Sequence, residues 1–321
     1  MEYVSLGKTG AKISPIILGT MQMGWRIDEQ ESFKIMDRAL ELGINCFDTA
    51  NIYTRWSEDS YAGKTEEIIG RWLADRGSRD ELILASKLRG PMSEDVNNQG
   101  LSRRHIHQAL HGSLERLQTD WIDLYQIHSF DTTVPIEETL HGLNIQIDQG
   151  LVNYIGASNV RPWHLIESFW MAEKYGYQKF ETLQPPYSLV RRDRMEPDFV
   201  EIVRQYGTGI IPYSPLGGGF LTGKYQKDQD LPDTPRNNST KSRYFNDKNW
   251  NVLDLVQKIA EGHEATITQV ALAWVLSKDY ITAPIIGANS VEQLEENVGA
   301  LEVNLSEDEL TQLDDASALD E

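Results

Sequence analysis

Four side chains that can bind or transfer protons stand at or just beyond the ends of short apolar segments typical of strands. Asp48 ends the segment 45–48, Lys87 ends a second segment and His128 follows a third, while Tyr53 lies in the loop after Asp48. Each alone has an ordinary explanation, since an Asp often caps a helix, a Lys is usually solvated and a lone His usually packs in the core. A carboxylate, a phenol, an amine and an imidazole in equivalent positions together predict one catalytic site.

The chemistry of these four groups suits proton donation to a carbonyl oxygen. Free tyrosine has a pKa of about 10, and the ammonium of Lys87 would stabilise the phenolate, so we expect a lowered pKa for Tyr53. A buried ammonium needs an anionic partner, which Asp48 can supply. Tyr53 is therefore the predicted general acid, and His128 is the second group predicted to polarise the carbonyl.

The chain offers no nucleophile for that carbonyl. No serine or cysteine stands in an activated setting, and the carboxylates and histidines lack the spacing of metal ligands, so we predict no metal. The attacking group must then come from outside the protein, and a hydride from a nicotinamide fits the proton donor. No G-x-G-x-x-G follows the first strand, so a Rossmann site has no support.

Later strand ends carry groups that can hold such a cofactor. The Tyr213 ring can stack on a flat heterocycle. The turn SPLGGG at 214–219 exposes backbone N–H groups that suit a pyrophosphate, with an ordinary flexible turn as the alternative. The step at Gly287 into a helix offers a positive helix N-terminus for a further phosphate. The side chains able to hydrogen-bond a carboxamide are Ser158, Asn159 and Gln184.

Apolar strands alternate with amphipathic helices along the whole chain. Eight strand–helix units of this kind predict parallel strands buried on both faces and favour a closed (β/α)8 TIM barrel, with residues 1–321 as a single domain. A short hairpin around KTG precedes the first unit, and extra helices are expected at 249–262 and 306–316. The polar segment 223–248 reads as a long loop, either a functional lid or a tolerated surface insertion. The strands are predicted near 16–18, 45–48, 82–87, 122–127, 153–157, 181–184, 209–213 and 282–286, and their helices near 28–42, 64–76, 102–118, 135–148, 161–174, 196–206, 266–277 and 290–299.

Composition narrows the class of protein. The net charge is −19, from 30 Lys and Arg against 49 Asp and Glu, which argues against binding to nucleic acid or an anionic membrane. A local basic pocket for one phosphorylated cofactor stays possible. The single cysteine, Cys46, excludes an internal disulfide, and neither a membrane-length apolar run nor a signal-peptide layout is present. We therefore expect a cytoplasmic protein without a membrane span.

Six ordered motifs resemble those of the aldo-keto reductases. They are FDTANIY, LASK, TDWIDLYQIH, GASN, YSPLGGGFLTGKY and EQLEENVGAL, and the resemblance runs from LGTMQMG at 18–24 to about residue 305. It implies a (β/α)8 barrel that reduces carbonyl compounds with NADPH and without a metal. The catalytic residues that it implies are Asp48, Tyr53, Lys87 and His128.

The same resemblance implies how the cofactor is bound. Ser158, Asn159, Gln184 and Tyr213 would contact the nicotinamide. Ser214, Pro215, Leu216, Gly217 and Lys224 would contact the pyrophosphate, and Thr20, Met21 and Asp48 would lie beside the ribose. The adenosine end would meet Gly287, Asn289, Gln293, Glu296 and Asn297, with Arg243 from the long loop. Independently of the resemblance, Trp25 and Trp56, with Tyr53 and His128, are predicted to line the substrate pocket, because aromatic walls suit small apolar carbonyl compounds; partly exposed packing is the alternative for both tryptophans.

Two departures from the family pattern bear on specificity. The loop after the tyrosine, TRWSEDSYAGKTEE, is longer than in many relatives, so the substrate mouth is expected to differ. No Lys or Arg stands near Asn289 to bind a 2′-phosphate. A preference for NADPH then depends on Arg243, Ser290 and Gln293, and NADH remains possible.

Three functions compete at this point. The first is a reductase of small aldehydes or ketones. The second is a cofactor-loaded regulatory or binding subunit with little turnover, like the β-subunits of potassium channels that share the fold. The third is a barrel that handles sugar phosphates without redox chemistry, against which the Tyr and Lys pair argues. Neither the substrate nor the oligomeric state follows from the residues.

Overall fold

A computed structural model describes residues 1–227 and 237–319 of the 321-residue chain. The chain begins with the predicted hairpin, in which β1 (Val4–Ser5) pairs antiparallel with β2 (Lys12–Ile13). Eight parallel strands follow: β3 (Ile17–Gly19), β4 (Cys46–Asp48), β5 (Ile83–Leu88), β6 (Ile122–Ile127), β7 (Val152–Ser158), β8 (Thr182–Gln184), β9 (Gly209–Ile210) and β10 (Ile285–Ile286).

The eight strands form one sheet that closes on itself. From β3 to β9 each strand pairs with the next one in the chain, and β10 pairs with β3. The last gap is bridged just beyond β9, where Tyr213 pairs with Ile285 and the Ile285 amide donates to the Pro212 carbonyl at 2.8 Å. The predicted (β/α)8 barrel is confirmed.

Helices surround the barrel, and most begin at a residue that the sequence marks as a cap. In six of the helices the side chain of an Asp, Ser, Asn or Thr accepts a backbone N–H of the first turn, which satisfies an otherwise unpaired donor. Among the described residues, no helix is both long and apolar enough to cross a bilayer. The helices are α1 (Glu29–Glu41), α2 (Lys64–Arg76), α3 (Arg103–Leu117), α4 (Ile136–Asp148), α5 (Pro162–Tyr175), α6 (Phe199–Tyr206), α7 (Asn237–Tyr244), α8 (Asp247–Gly262), α9 (Ile267–Leu276), α10 (Val291–Val298) and α11 (Glu307–Ala316).

The segment after β9 differs from its prediction. The expected loop 223–248 contains α7, and α8 begins two residues before the predicted helix. The polar sequence of α7 carries no apolar periodicity, so no pattern predicted a helix here. The helix packs through buried Tyr244, whose ring lies against that of Phe220 with centroids 6.2 Å apart. Residues 228–236 of the predicted loop lie outside the described residues. Strands β9 and β10 are also shorter than predicted.

The N-terminal hairpin packs against the ends where the barrel strands begin. Leu6 and Ile13 from the hairpin are fully buried and join one apolar cluster with Ile17 and Cys46, the first residues of β3 and β4. The opposite rim, where the strands end, is therefore the one left for a site, as in other barrels of this class.

Close packing of α2 on α3 depends on a glycine. A Cβ at Gly70 would lie 2.1 Å from the backbone oxygen of Arg116 and 2.9 Å from the Cα of Leu117, so Gly70→Ala must push the helices apart. We expect a loss of about 1–3 kcal/mol in the free energy of unfolding, measured by urea denaturation. The control is Gly262→Ala, where a Cβ meets nothing within 4 Å and stability should be unchanged or slightly higher. Equal stabilities for the two variants would contradict the packing argument.

Candidate active site

The Lys87 ammonium joins the ends of β4 and β5 to the loop that carries the phenol. Its Nζ donates to Asp48 Oδ1 at 2.6 Å, to the Tyr53 hydroxyl at 2.8 Å and to the Thr49 carbonyl at 2.9 Å. Lys87 is fully buried, so all three N–H donors are used without water. Residues that are far apart in the chain therefore form one hydrogen-bonded group.

The second carboxylate oxygen of Asp48 is held from two further strands. Gln184 Nε2 donates to Oδ2 at 2.9 Å, and Gln126 Nε2 donates to the same oxygen at 3.2 Å. Asp48 is 2% exposed, and these bonds satisfy an anion that burial would otherwise penalise. Gln126 was not a predicted site residue, although it stands two positions before His128 in β6 and could have been found by the same strand-end reasoning.

The net pKa shift of Tyr53 is opposite to the sequence prediction. Burial disfavours the phenolate and raises the pKa above 10.0; the charge and hydrogen bond of Lys87 lower it, but by less. The lowering effect of the ammonium is present, and desolvation outweighs it. Tyr53 is consequently a neutral phenol at neutral pH, which is the protonated form that a proton donor must have.

Lys87 and His128 have opposite charge states beside that phenol. Burial lowers the pKa of Lys87, but the charges and hydrogen bonds of Asp48 and Tyr53 outweigh it, and the net shift is upward. Burial, with the charges of Lys87 and Arg89, lowers the pKa of His128 to about 3. The site therefore holds an ammonium and a neutral imidazole, whose ring lies edge-on to Tyr53 with centroids 6.0 Å apart.

The backbone is strained at the same strand ends. Four of the six described non-glycine residues with positive φ angles are Thr54 (73°), Arg89 (131°), Asn159 (51°) and Ser214 (56°), and the other two, Gln118 and Glu264, follow helices α3 and α8. Each of the first four stands one or two residues after a predicted site residue. For a β-branched residue such as Thr54 this conformation is an outlier, costing of order 1–3 kcal/mol. Strain of this kind persists where the surrounding structure fixes side chains for function.

A cavity of about 540 Å³ opens beside these groups at the strand-end rim. Most residues predicted to bind the cofactor or substrate line it. They are Met21, Asp48, Tyr53, His128, Ser158, Asn159, Gln184, Tyr213, Ser214, Pro215, Leu216, Lys224, Gly287, Asn289, Gln293, Glu296 and Asn297. Gly218 and Gly219 of the predicted pyrophosphate turn also line the cavity, and the lining residues that sequence reasoning missed are Gly19, Gln22, Arg26, Thr222, Thr268, Ile285 and Ile286.

Six predicted residues lie outside this lining. Lys87 is buried behind Tyr53, and Thr20 donates its hydroxyl to the Asp48 carbonyl at 3.0 Å. Gly217 precedes two lining glycines, and Arg243 is exposed on α7.

The remaining two, both tryptophans, border Tyr53 in a chain of edge-on aromatic contacts. Trp56 lies 6.1 Å from Tyr53, and Trp25 lies 5.6 Å from Trp56, between ring centroids.

The sequence profile of the Aldo/keto reductase family matches residues 15–318. The chain belongs to the aldo/keto reductase family. Among its relatives is Uncharacterized oxidoreductase YrpG of Bacillus subtilis, 41% identical over 322 residues that cover 98% of this chain and 95% of the relative. A putative aryl-alcohol dehydrogenase of Schizosaccharomyces pombe is 33% identical over 344 residues, covering 98% of this chain and 95% of the relative. A probable voltage-gated potassium channel subunit beta of Oryza sativa is 31% identical over 313 residues, covering 94% and 92%. The protein is thus an oxidoreductase of this family.

Aldo/keto reductases use nicotinamide cofactors, and the cavity fits such a dinucleotide. Gly218 and Gly219 have φ angles of 66° and 96°, and a Cβ on Gly219 would lie 2.5 Å from Lys224 Nζ. The positive φ angles favour glycine at both positions, although the end of the Lys224 side chain could move away from a Cβ, and the missing side chains leave the backbone of the turn open to a ligand. Within the described part of the chain, the buried oxygens Gln22 Oε1 and Asn289 Oδ1 have no hydrogen-bond partner. Polar atoms of this kind are available to the amide, ribose and adenine groups of a dinucleotide.

Proposed function

We propose that this aldo/keto reductase reduces aldehydes or ketones to alcohols with NADPH, using Tyr53 as the general acid. The observation that carries the proposal is the Lys87 ammonium bonded at once to Tyr53 and Asp48 beside the cavity. Such an arrangement prepares a neutral phenol to lose its proton while a fixed cation stabilises the phenolate that remains.

Each residue has a defined task in this reaction. Tyr53 donates its proton to the carbonyl oxygen, and the fixed charge of Lys87 stabilises the resulting phenolate until solvent reprotonates it. Asp48 keeps Lys87 charged, and neutral His128 hydrogen-bonds the same carbonyl oxygen and orients it. When bound, the dihydronicotinamide supplies the hydride to the carbonyl carbon.

Different cavity residues are proposed to bind different parts of the cofactor. We infer that Ser158, Asn159 and Gln184 bind the carboxamide and that the Tyr213 ring stacks on the nicotinamide. The orientation of these groups is already fixed, since the Tyr213 hydroxyl donates to Asn159 Oδ1 at 2.9 Å and Ser158 Oγ donates to the Gln184 carbonyl at 2.8 Å. The glycine turn with Lys224 would receive the pyrophosphate, and the start of α10 the adenosine phosphate.

For the substrate we propose small aromatic aldehydes. One relative is named as a putative aryl-alcohol dehydrogenase. In this chain, Tyr53 lines the cavity and continues through edge-on contacts into Trp56 and Trp25, so an aromatic wall adjoins the cavity. Flat rings pack on such walls by edge-on or offset contacts.

The pH profile of reduction follows from the two pKa shifts. Since the pKa of Tyr53 is above 10.0 and that of His128 is about 3, neither group changes charge near neutrality. We expect kcat for reduction to be flat from about pH 6 to about pH 9 and to fall only at higher pH, as Tyr53 loses its proton. The measurement is kcat at saturating cofactor across that range. An inflection near 6.5 that disappears in His128→Gln would contradict the neutral imidazole.

The test of the proposed function follows the absorbance of NADPH, and separately of NADH, with a panel that contains benzaldehyde and aliphatic aldehydes. Rapid oxidation of NADPH that requires the aldehyde supports the reductase. The second candidate, a cofactor-loaded subunit, is favoured only by the likeness to a probable potassium channel subunit beta. Tight binding of NADPH with negligible turnover of every aldehyde would support that candidate and reject the first.

A further inference from the structure

Arg26 extends from the loop between β3 and α1 into the wall of the same cavity. Its Nε and Nη2 atoms are buried and have no hydrogen-bond partner among the described residues. Each guanidinium nitrogen is an obligatory donor, so two donors are left to be satisfied. Burying them unpaired costs free energy unless a ligand completes them.

Within residues 1–227 and 237–319, no carboxylate is paired with Arg26. Its guanidinium carbon lies 4.9 Å from the centroid of the Trp25 ring, and the phenol of Tyr225 lies within electrostatic range. No carboxylate of the described residues forms an ion pair with Arg26. Burial accordingly lowers its pKa, although a guanidinium stays charged at any pH of interest.

Three other partly buried arginines of this chain are paired with carboxylates, whereas Arg89, whose Nε is also buried without a hydrogen-bond partner, forms no ion pair among the described residues. Arg79 binds Asp123, Arg116 binds Glu66 and Arg192 binds Glu196, each with a nitrogen–oxygen distance of 2.8 Å. With 49 acidic residues in the chain, a carboxylate partner is easily provided. Arg26 differs from Arg89 because it lines the cavity, where a ligand can pair with its unused donors.

The charge of the cavity wall fits an anionic ligand. Lys224 also lines the cavity, so the cavity wall carries two cationic side chains, Arg26 and Lys224. Of the two carboxylates in the wall, Asp48 is already neutralised by Lys87, which leaves Glu296 against the two cations. A guanidinium binds phosphate or carboxylate through two parallel hydrogen bonds, and Nε with one Nη is the usual pair.

We propose that Arg26 binds an oxyanion in this cavity, either a phosphate oxygen of the dinucleotide or the carboxylate of an anionic aldehyde substrate. The proposal rests on the proposed function, and it adds a residue that determines ligand charge. Both sources present the same chemistry to the guanidinium. Hydrogen bonds to a charged group contribute about 1.5–3 kcal/mol, or at least about tenfold in affinity.

The experiment compares Arg26→Met and Arg26→Lys with wild type and with Arg104→Met, which removes the same charge from an exposed position on α3. One arm measures the Kd of NADP+ by quenching of tryptophan fluorescence. The other measures the ratio of kcat/KM for 4-carboxybenzaldehyde to that for benzaldehyde. We expect Arg26→Met to raise the Kd, or to lower the ratio, by about tenfold or more. Arg26→Lys should show a smaller effect, and Arg104→Met none.

The two arms identify the source of the oxyanion. A raised Kd with an unchanged ratio assigns Arg26 to the cofactor phosphate, and a lowered ratio with an unchanged Kd assigns it to the substrate carboxylate. No change in either quantity overturns the proposal. Failure of wild type to bind NADP+ overturns both the proposed function and this proposal. Binding of NADP+ without turnover of any aldehyde rejects only the reductase, because the Kd measurement still decides the role of Arg26.

A measurement of stability distinguishes an arginine that binds a ligand from one that only supports the fold. Because the guanidinium is unpaired, Arg26→Met should leave the free energy of unfolding of the ligand-free protein unchanged or higher. A loss of stability well beyond that of Arg104→Met would identify a structural role and overturn the proposal.

Discussion

Replacing Tyr53 with phenylalanine should lower kcat for aldehyde reduction by about 10²–10⁴-fold, the usual contribution of a general acid. The ring and its edge-on contacts with Trp56 and His128 remain, so the shape of the cavity is kept. Only the hydroxyl is lost, together with its hydrogen bond to Lys87. Cofactor affinity should therefore change little, which makes the effect one on kcat.

The measurement is steady-state kinetics together with the Kd of NADPH for each variant. Tyr61→Phe is the matched control, since Tyr61 lies in the same loop, is 53% exposed and donates its hydroxyl to Glu67 rather than to the site. That variant should keep wild-type kcat. If Tyr53→Phe keeps near-normal kcat, another group supplies the proton and the proposed role of Tyr53 is wrong.

The positions of the proposed catalytic groups could be predicted because a parallel barrel puts every strand end on one rim. Alternation of short apolar strands with helices fixes that topology without knowledge of any contact. Asp48, Lys87 and His128 follow directly from the rule, and the structure brings them together with Tyr53. That these residues perform catalysis, and that residues 1–321 form one domain, stay predictions.

What could not be predicted depends on contacts between distant parts of the chain. The net pKa of Tyr53 depends on how deeply the phenol is buried, and no local pattern reports that depth. The polar helix α7 carries no periodicity of its own and packs against the glycine turn after β9. The lack of a partner for Arg26 among the described residues is likewise invisible in sequence, because it depends on which distant side chains the fold places beside the guanidinium.

Breaking the buried ion pair should produce the largest loss of stability. Lys87 and Asp48 are joined at 2.6 Å, with side chains 0% and 3% exposed. Lys87→Met leaves the Asp48 carboxylate buried with only two amide donors, and Asp48→Asn leaves the ammonium without its counter-charge. Each single variant should lose about 3–5 kcal/mol in the free energy of unfolding, measured by urea denaturation.

The double variant Lys87→Met with Asp48→Asn separates stability from catalysis. No uncompensated charge remains in it, so its loss of stability should be smaller than that of either single variant, although two residues have changed. Its kcat should nevertheless be as low as that of Lys87→Met, because no cation is left to stabilise the phenolate of Tyr53. Losses of stability that simply add would mean that the pair is not coupled, and recovery of kcat in the double variant would mean that the ammonium has no part in the proton transfer. Desolvation of the buried ion pair lowers the stability of the protein, and the proposed mechanism explains why the pair is nevertheless present. The charge of Lys87 is needed to stabilise the phenolate of Tyr53.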